Sequence, residues 1–207
     1  MAKEQKKLAK KIIVVGSTGS GKTTLSEKLS DRLGLRFIEL DALYWLPDWN
    51  HVPVEVFQER VKQAISQDNW VVAGNYHFSR EILWPAADSV IWLDYSLWTI
   101  FWRLWNRTWR RWWHKELLWG TNRERLWPHL KLWSVQDSLF AWLFSTYQRR
   151  KKEYSDLIAQ PENSHLEVFH FFTPLEAETW LDVYCNKTVP CSKPLPINAR
   201  LGVELFN

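Results

Sequence analysis

The segment Gly16-Ser17-Thr18-Gly19-Ser20-Gly21-Lys22-Thr23 constrains the fold of this chain more than any other stretch. It fills the pattern G-x-x-x-x-G-K-[ST] without a mismatch. The glycines let the backbone curl so that successive N–H groups point inward at an anion. Lys22 is placed to reach β- and γ-phosphates, and the Thr23 hydroxyl to sit on Mg²⁺. Both flanks agree. Lys11-Ile12-Ile13-Val14-Val15 is a β-branched run that reads as a buried strand ending at Gly16. Thr24 to Leu33 places Leu25, Leu29 and Leu33 four residues apart, a helix stopped by Gly34. Strand, glycine loop and helix together aim a helix N-terminus at phosphate. The competing reading, a chance glycine-rich turn, leaves both flanks unexplained.

With 207 residues the chain is long enough for one domain with a sizeable core. Its formal charge of +4 is a mild excess, fed in part by a basic N-terminal arm over 1–10. That arm has no apolar stretch before Ile12, so no signal peptide is expected. No transmembrane helix is expected either. The most apolar stretch, Ser89 to Trp102, is short and interrupted by Asp94. Cys185 and Cys191 lack metal-site spacing and match a reducing cytosol, with a disulfide between them as the alternative. The histidines form no paired-ligand pattern, so protein-bound zinc is not expected. The expected location is cytoplasmic.

Strand and helix signals alternate along the chain, as in an α/β domain. Strands are expected at Arg36–Leu40, Trp70–Ala73, Ser89–Leu93 and His165–Phe171. Helices are expected over about 53–67, 97–114, 134–158 and 174–183, the last capped by Thr173 with Glu176 three residues on. Gly120-Thr121-Asn122 breaks the helical run that precedes it. The expected organisation is the arm, one domain over 11–185 with a lid at about 107–127, and a loose proline-bearing tail over 186–207. Asp41, Asn75 and Asp94 each follow a strand, where ligands sit in an open parallel sheet. Each has a simpler reading as a cap or turn former.

Sixteen tryptophans are far above ordinary usage. Trp98, Trp102, Trp105, Trp109 and Trp112 are spaced 4, 3, 4, 3, a continuous stripe on one helix. Arg103, Arg107 and Arg110 form a parallel stripe about 100° round that helix. Three functional readings compete. The arginines close over a nucleotide as a lid. The helix lies on a membrane surface. Or the tryptophans stack on nucleic-acid bases. The bland reading makes the tryptophans core and the arginines solvated. A mixed outcome is expected, with the tryptophans as core and part of the arginine stripe as lid.

Gly16 to Thr24, Leu40-Asp41-Ala42-Leu43-Tyr44-Trp45, Trp70 to Tyr76 and Val90-Ile91-Trp92-Leu93-Asp94 resemble, in this order, the adenylate-kinase-related P-loop proteins of the DNA topology modulation protein-like group. Glu116 to Glu124 and Arg149 to Tyr154 resemble segments of the same group, so the likeness covers about residues 11–183. The resemblance implies a P-loop NTPase fold of nucleoside-monophosphate-kinase type, a five-stranded parallel sheet in order 2-3-1-4-5 with a helical lid. It implies ATP and Mg²⁺, and transfer of the γ-phosphoryl group to a small acceptor that it does not fix. Relatives often carry an acid where this chain has Ala73; if that acid supports Mg²⁺, Asp41 or Asp94 takes its place, or catalysis is weak.

The resulting expectation is an ATP-dependent small-molecule kinase. Main-chain N–H groups of Ser17 to Thr24 cradle phosphates, Lys22 bridges the β- and γ-phosphates, Thr23 holds Mg²⁺ and Thr24 lies near the α-phosphate. Asp41 faces the acceptor and orients or deprotonates its hydroxyl. Asn75 and Arg80 help bind the acceptor, and Arg107, Arg111 and Arg123 are lid candidates. The alternative is an ATP-binding regulator with slow hydrolysis, acting through a nucleic-acid or protein partner. A monomer or homodimer is expected.

Overall fold

Three apolar runs sit side by side at the centre of the molecule. Strands β1 (Lys11–Gly16), β3 (Trp70–Ala73) and β4 (Ser89–Leu93) are buried along almost their whole length. A strand buried on both faces belongs in a parallel sheet covered by helices, and this one is. The computed structural model describes residues 9–114, 117–118, 122–123 and 139–188, with 117–118, 122–123, 139 and 186–188 described by backbone alone. Strands β2 (Arg36–Glu39) and β5 (Glu167–Phe171) complete a five-stranded, all-parallel sheet in the order β2-β3-β1-β4-β5. Its register pairs Ile13 with Val72 on one side and with Val90 on the other. The Asp88 carboxylate fastens the start of β1 by accepting from the N–H groups of Lys10 and Lys11 at 2.9 and 3.0 Å.

Side chains alternate across the sheet and feed two cores. Ile12, Val14, Val71, Ile91 and Leu93 pack on one face with α1 (Lys22–Leu33), α5 (Leu97–His114) and α7 (Pro174–Thr188). Ile13, Val15, Ile38, Val72, Val90 and Trp92 pack on the other with α3 (Val54–Ala64) and α4 (Arg80–Ala86). Helix α6 (Leu139–Ile158) serves both, with Phe140 and Leu143 in the first core and Tyr154 in the second. It therefore crosses from one layer to the other. On the way the Tyr147 hydroxyl donates to the Tyr95 carbonyl, just past the end of β4, at 3.1 Å.

The Thr173–Glu176 capping box forms, the Glu176 N–H donating to Thr173 Oγ1 at 3.2 Å and the Thr173 N–H donating to Glu176 Oε2 at 3.3 Å. Several boundaries differ from the sequence expectation. Strand β2 ends at Glu39, and Leu40–Tyr44 form a short helix, α2, so Asp41 lies in its first turn rather than at a strand end. The arm gives way earlier than residue 10, because Ala9 is buried and Lys10 is bonded to Asp88. Helix α7 runs on to Thr188, past the expected end at 183. Of the expected break at Gly120-Thr121-Asn122, Gly120 and Thr121 lie outside the described residues, and Asn122 belongs to a two-residue antiparallel ladder pairing Leu117–Leu118 with Asn122–Arg123. Helix α4, which carries Arg80, had no sequence expectation.

The tryptophan stripe corrects a further expectation. Trp98, Trp102, Trp109 and Trp112 are exposed and only Trp105 of the stripe packs against the core, while α5 buries Ile100, Leu104 and Thr108. The small and aliphatic residues fit the narrow space against the phosphate loop, where the bulk of an indole does not. No described helix is long and apolar enough to cross a membrane.

Candidate active site

The glycine loop leaves β1 at the carboxyl edge of the sheet and turns directly into α1. Gly19 (φ 79°) and Gly21 (φ 96°) adopt the left-handed conformation that an L side chain resists. Space makes the same demand. A Cβ on Gly19 would meet Leu104 Cβ at 3.0 Å, and one on Gly21 would meet Arg103 Nη2 at 2.8 Å. Helix α5 thus packs directly on the loop, and Arg103 reaches it from the exposed side. The loop is closed internally by the Ser20 N–H donating to the Ser17 carbonyl at 3.2 Å. The amide nitrogen of Asn75 donates to the Gly16 carbonyl and pins the loop's first residue. Ser17 and Ser20 are buried, Thr18 and Thr23 are half-buried, and Thr24 is exposed in the first turn of α1.

Lys22 folds back over the loop, its Nζ donating to the Ser17 carbonyl at 3.0 Å. Desolvation pushes its ammonium down to about 7. Arg150 and Arg107 push it in the same direction, and Asp41 and Glu39 pull against them. Lys22 at the mouth of the loop thus feels two arginines and two carboxylates. Arg150 Nε and Nη1 are buried without a hydrogen-bond partner among the described residues, and its guanidinium lies 4.5 Å over the Trp142 ring. A buried cation of that kind is costly until an anion arrives.

The carboxylates have distinct settings. Thr23 Oγ1 donates to Glu39 Oε1 at 3.1 Å. A hydroxyl and a carboxylate side by side at a phosphate loop form the hard-oxygen donor set that suits Mg²⁺, which is held by one or two carboxylates together with substrate phosphates. Among the described residues, no group of three or more His, Cys, Asp or Glu could hold a metal without such a substrate. Asp41 Oδ1 accepts from the Tyr76 hydroxyl at 2.6 Å. Burial first, and then Asp41, raise Tyr76 far above the usual phenol range, so it remains a donor. Around this pair Tyr44, Trp45, His51, Phe57 and Phe78 form an aromatic wall, with Tyr44 and Tyr76 ring centres 4.7 Å apart.

Of the residues expected from the sequence, Gly16 to Thr23, Asp41, Asn75 and Arg107 come together at this edge. Arg80 is held in a 2.7 Å ion pair with Glu153, which lowers the Glu153 carboxyl mainly through that hydrogen bond. Arg111 is half-buried further along α5. Arg123 lies in the two-residue ladder, where the backbone alone is described. Asp94 is otherwise engaged. Its buried carboxylate accepts from Lys151 Nζ and from His170 Nε2, each at 3.0 Å. It borders an open cleft of about 700 Å³ between α6 and β5 that the glycine loop does not line. The sequence did not single out Glu39, Tyr76 and Arg150, and it gave Arg103 only as a member of the arginine stripe. The Glu39-Leu40-Asp41 spacing and the basic run Arg149 to Lys152 carried the signal, but nothing local shows which face either one presents.

No family model matches the chain, and no curated protein matches it. Among solved structures it is similar to a shikimate kinase from Bacteroides thetaiotaomicron, with a TM-score of 0.51 and 16% identity over 87% of this chain and 98% of that one. A gluconokinase from Sinorhizobium meliloti aligns with a TM-score of 0.45 and 18% identity over 85% of this chain and 93% of that one. A deoxyadenosine kinase from M. mycoides aligns with a TM-score of 0.43 and 17% identity over 85% of this chain and 97% of that one. The fold of this chain is that of the P-loop kinases, an all-parallel sheet in order 2-3-1-4-5 flanked by helices.

Proposed function

We propose that this protein is an ATP-dependent phosphotransferase that moves the γ-phosphoryl group of ATP-Mg to a small-molecule acceptor. The observation that carries the reading is a complete phosphate loop whose Lys22 feels Arg107 and Arg150, beside one carboxylate bonded to Thr23 and a second, Asp41, held by the Tyr76 hydroxyl. Loop N–H groups from Ser17 to Thr24 bind the phosphates. Lys22 exchanges the Ser17 carbonyl for the β- and γ-phosphates and regains its proton there. Thr23 and Glu39 hold Mg²⁺, which supplies charge neutralisation on the phosphate oxygens when bound. This assigns to Glu39 the role left open by Ala73.

Arg107 and Arg150 stabilise charge on the transferring group, and Arg103, Arg111 and Arg123 are the further arginines of a lid. Tyr76 fixes one oxygen of Asp41 so that the other accepts the acceptor's hydroxyl proton. Asn75 acts chiefly by holding the loop, and Arg80 by joining the acceptor wall to α6. The motif likeness to the DNA topology modulation protein-like group supports nucleotide use and leaves the acceptor open.

A panel of phosphoryl acceptors tests the reading: nucleosides, nucleoside monophosphates, sugars, hydroxy acids and, from the name of the structural neighbour, shikimate. The expected result is one class raising ATP turnover well above the water background, with phosphorylated acceptor recovered. Stimulation by DNA or RNA alone, with no phosphorylated product, overturns it in favour of a nucleotide-dependent regulator.

A further inference from the structure

Helix α5 has a second face that the phosphate site does not use. Trp98, Trp102 and Trp113 are 76, 62 and 68% exposed, and Trp109 and Trp112 are 46 and 41% exposed. The patch continues onto α6. Phe101 stacks with Trp98 at 5.6 Å and lies 5.9 Å from Phe144, itself 48% exposed. A soluble surface rarely carries so much contiguous aromatic area without a partner.

Three observations choose the partner. The first is the residue type. An exposed indole has an apolar body and an N–H that seeks water, which places tryptophan at a membrane–water boundary rather than in a protein core. The second is charge. From Leu97 to His114 the helix holds Arg103, Arg107, Arg110 and Arg111 and no acid. Arg103 and Arg110 are exposed and follow Trp102 and Trp109 by one residue, about 100° round the helix. Aromatic and basic sectors side by side complement an anionic headgroup layer. Two copies of this face would instead bring like charges together. The third is how the rings lie. Trp105 and Trp109 are 6.4 Å apart, and Trp109 and Trp112 are 5.4 Å apart. Neighbouring rings lie against one another along one apolar strip, Trp105 half-buried and Trp109 and Trp112 tilted by 50°, rather than as a row of separate open faces on which bases stack.

We propose that the tryptophan face of α5 seats on an anionic lipid surface, with the helix lying in the plane of the headgroups. The opposite side of the same helix packs Leu104 and Ile100 against Gly19, so docking holds the phosphate loop at the membrane surface. The proposal stands independently of the phosphotransfer reading, because the tryptophans it rests on lie on the exposed side of α5, and of the basic sector beside them only Arg103 also reaches the loop.

The test is co-sedimentation of the full chain with phosphatidylcholine vesicles, and with vesicles that also contain phosphatidylglycerol, without nucleotide. The expected result is binding to the anionic vesicles that falls steeply as salt is raised, and weak binding to the neutral ones. Brominated lipid should quench the tryptophan emission of the bound protein. The triple variant Trp98→Ser/Trp102→Ser/Trp113→Ser should lose at least about tenfold in partitioning, and Arg110→Glu a similar amount. All four side chains are exposed, and circular dichroism melting checks that each variant is folded. If the triple variant fails to fold, Trp98→Ser and the quenching of the native chain carry the test. Absence of binding to anionic vesicles overturns the proposal, as does binding unchanged in the folded variants. Two further outcomes, each without vesicle binding, also overturn it: retention of single-stranded oligonucleotide that the triple variant abolishes, and a dimer that the triple variant abolishes.

Discussion

Thr23 Oγ1 donates to Glu39 Oε1 at 3.1 Å, tying the first turn of α1 to the last residue of β2. The bond joins the phosphate loop to the neighbouring strand end at the point where the proposed Mg²⁺ ligands meet. Glu39→Gln keeps the shape and the hydrogen bond and removes the charge. The Mg²⁺ concentration giving half-maximal turnover should rise by about ten- to a hundredfold. Thermal stability without ligand should change little. A Mg²⁺ titration that superimposes on that of the native enzyme removes Glu39 from the metal site.

Lys22→Ala removes the charge proposed to serve the β- and γ-phosphates. Turnover should fall at least about a hundredfold, on the order of ~3 kcal/mol for one key electrostatic donor. Folding should not suffer, because the native lysine is held under desolvation and beside Arg107 and Arg150. Turnover within a few-fold of the native value rules out the assignment.

The position of Lys22 makes nucleotide binding take up a proton. Its ammonium is lowered to about 7 in the free protein from 10.5 in the unfolded chain. Between those values the unfolded chain binds more protons. Stability of the ligand-free protein therefore rises with pH across that window, and the penalty is fully present below about 7. Phosphates favour the charged form, so binding of a non-hydrolysable ATP analogue at about pH 8 should take up close to one proton. Calorimetry in two buffers of different ionisation enthalpy measures it, and Lys22→Met should abolish it. Equal heats in the two buffers contradict the prediction.

Asp41→Asn should leave ATP affinity nearly intact and cut phosphoryl transfer if, as proposed, the carboxylate serves the acceptor. Tyr76→Phe removes the donor that fixes Asp41 Oδ1 and should produce a smaller loss of the same kind, about tenfold. Titration of ATP binding, set beside turnover at saturating acceptor, separates the two effects. If both quantities are unchanged in Asp41→Asn, Asp41 is a turn residue alone.

Asn75→Ala frees the Gly16 carbonyl from its side-chain partner. A lost buried hydrogen bond of about 1–3 kcal/mol corresponds to a roughly tenfold or greater fall in ATP affinity. The KM for acceptor should hold steady. A raised acceptor KM at unchanged ATP affinity would return Asn75 to the acceptor-binding role that its strand-end position suggests.

The local half of this protein was legible before any fold existed. Gly16 to Thr23 is a contiguous motif whose backbone requirements are written in its own glycines, and Ile12 to Val15 could only be a buried strand. The Leu25–Leu29 spacing sets the inward face of α1, and Thr173 with Glu176 caps α7 through bonds three residues apart. Each rests on interactions within a few residues, which periodicity and spacing report directly.

Contacts across the sequence were decided by the tertiary structure. Glu39 looked like one more strand residue until β2 was laid beside β3 and its carboxylate met Thr23. Asp41 and Asp94 looked alike from the sequence, each in a polar position after a β-branched run. Packing then gave one to Tyr76 and the other to Lys151 and His170. Arg150 reaches the loop because α6 crosses between layers, and no local spacing encodes that crossing. The sequence by itself drew the aromatic stripe of α5 but not its direction, since a helix of period 3.6 has an inward side only once something packs against it. The phosphate loop took that side, with room for Leu104 beside Gly19 and none for an indole, and the tryptophans were left facing out.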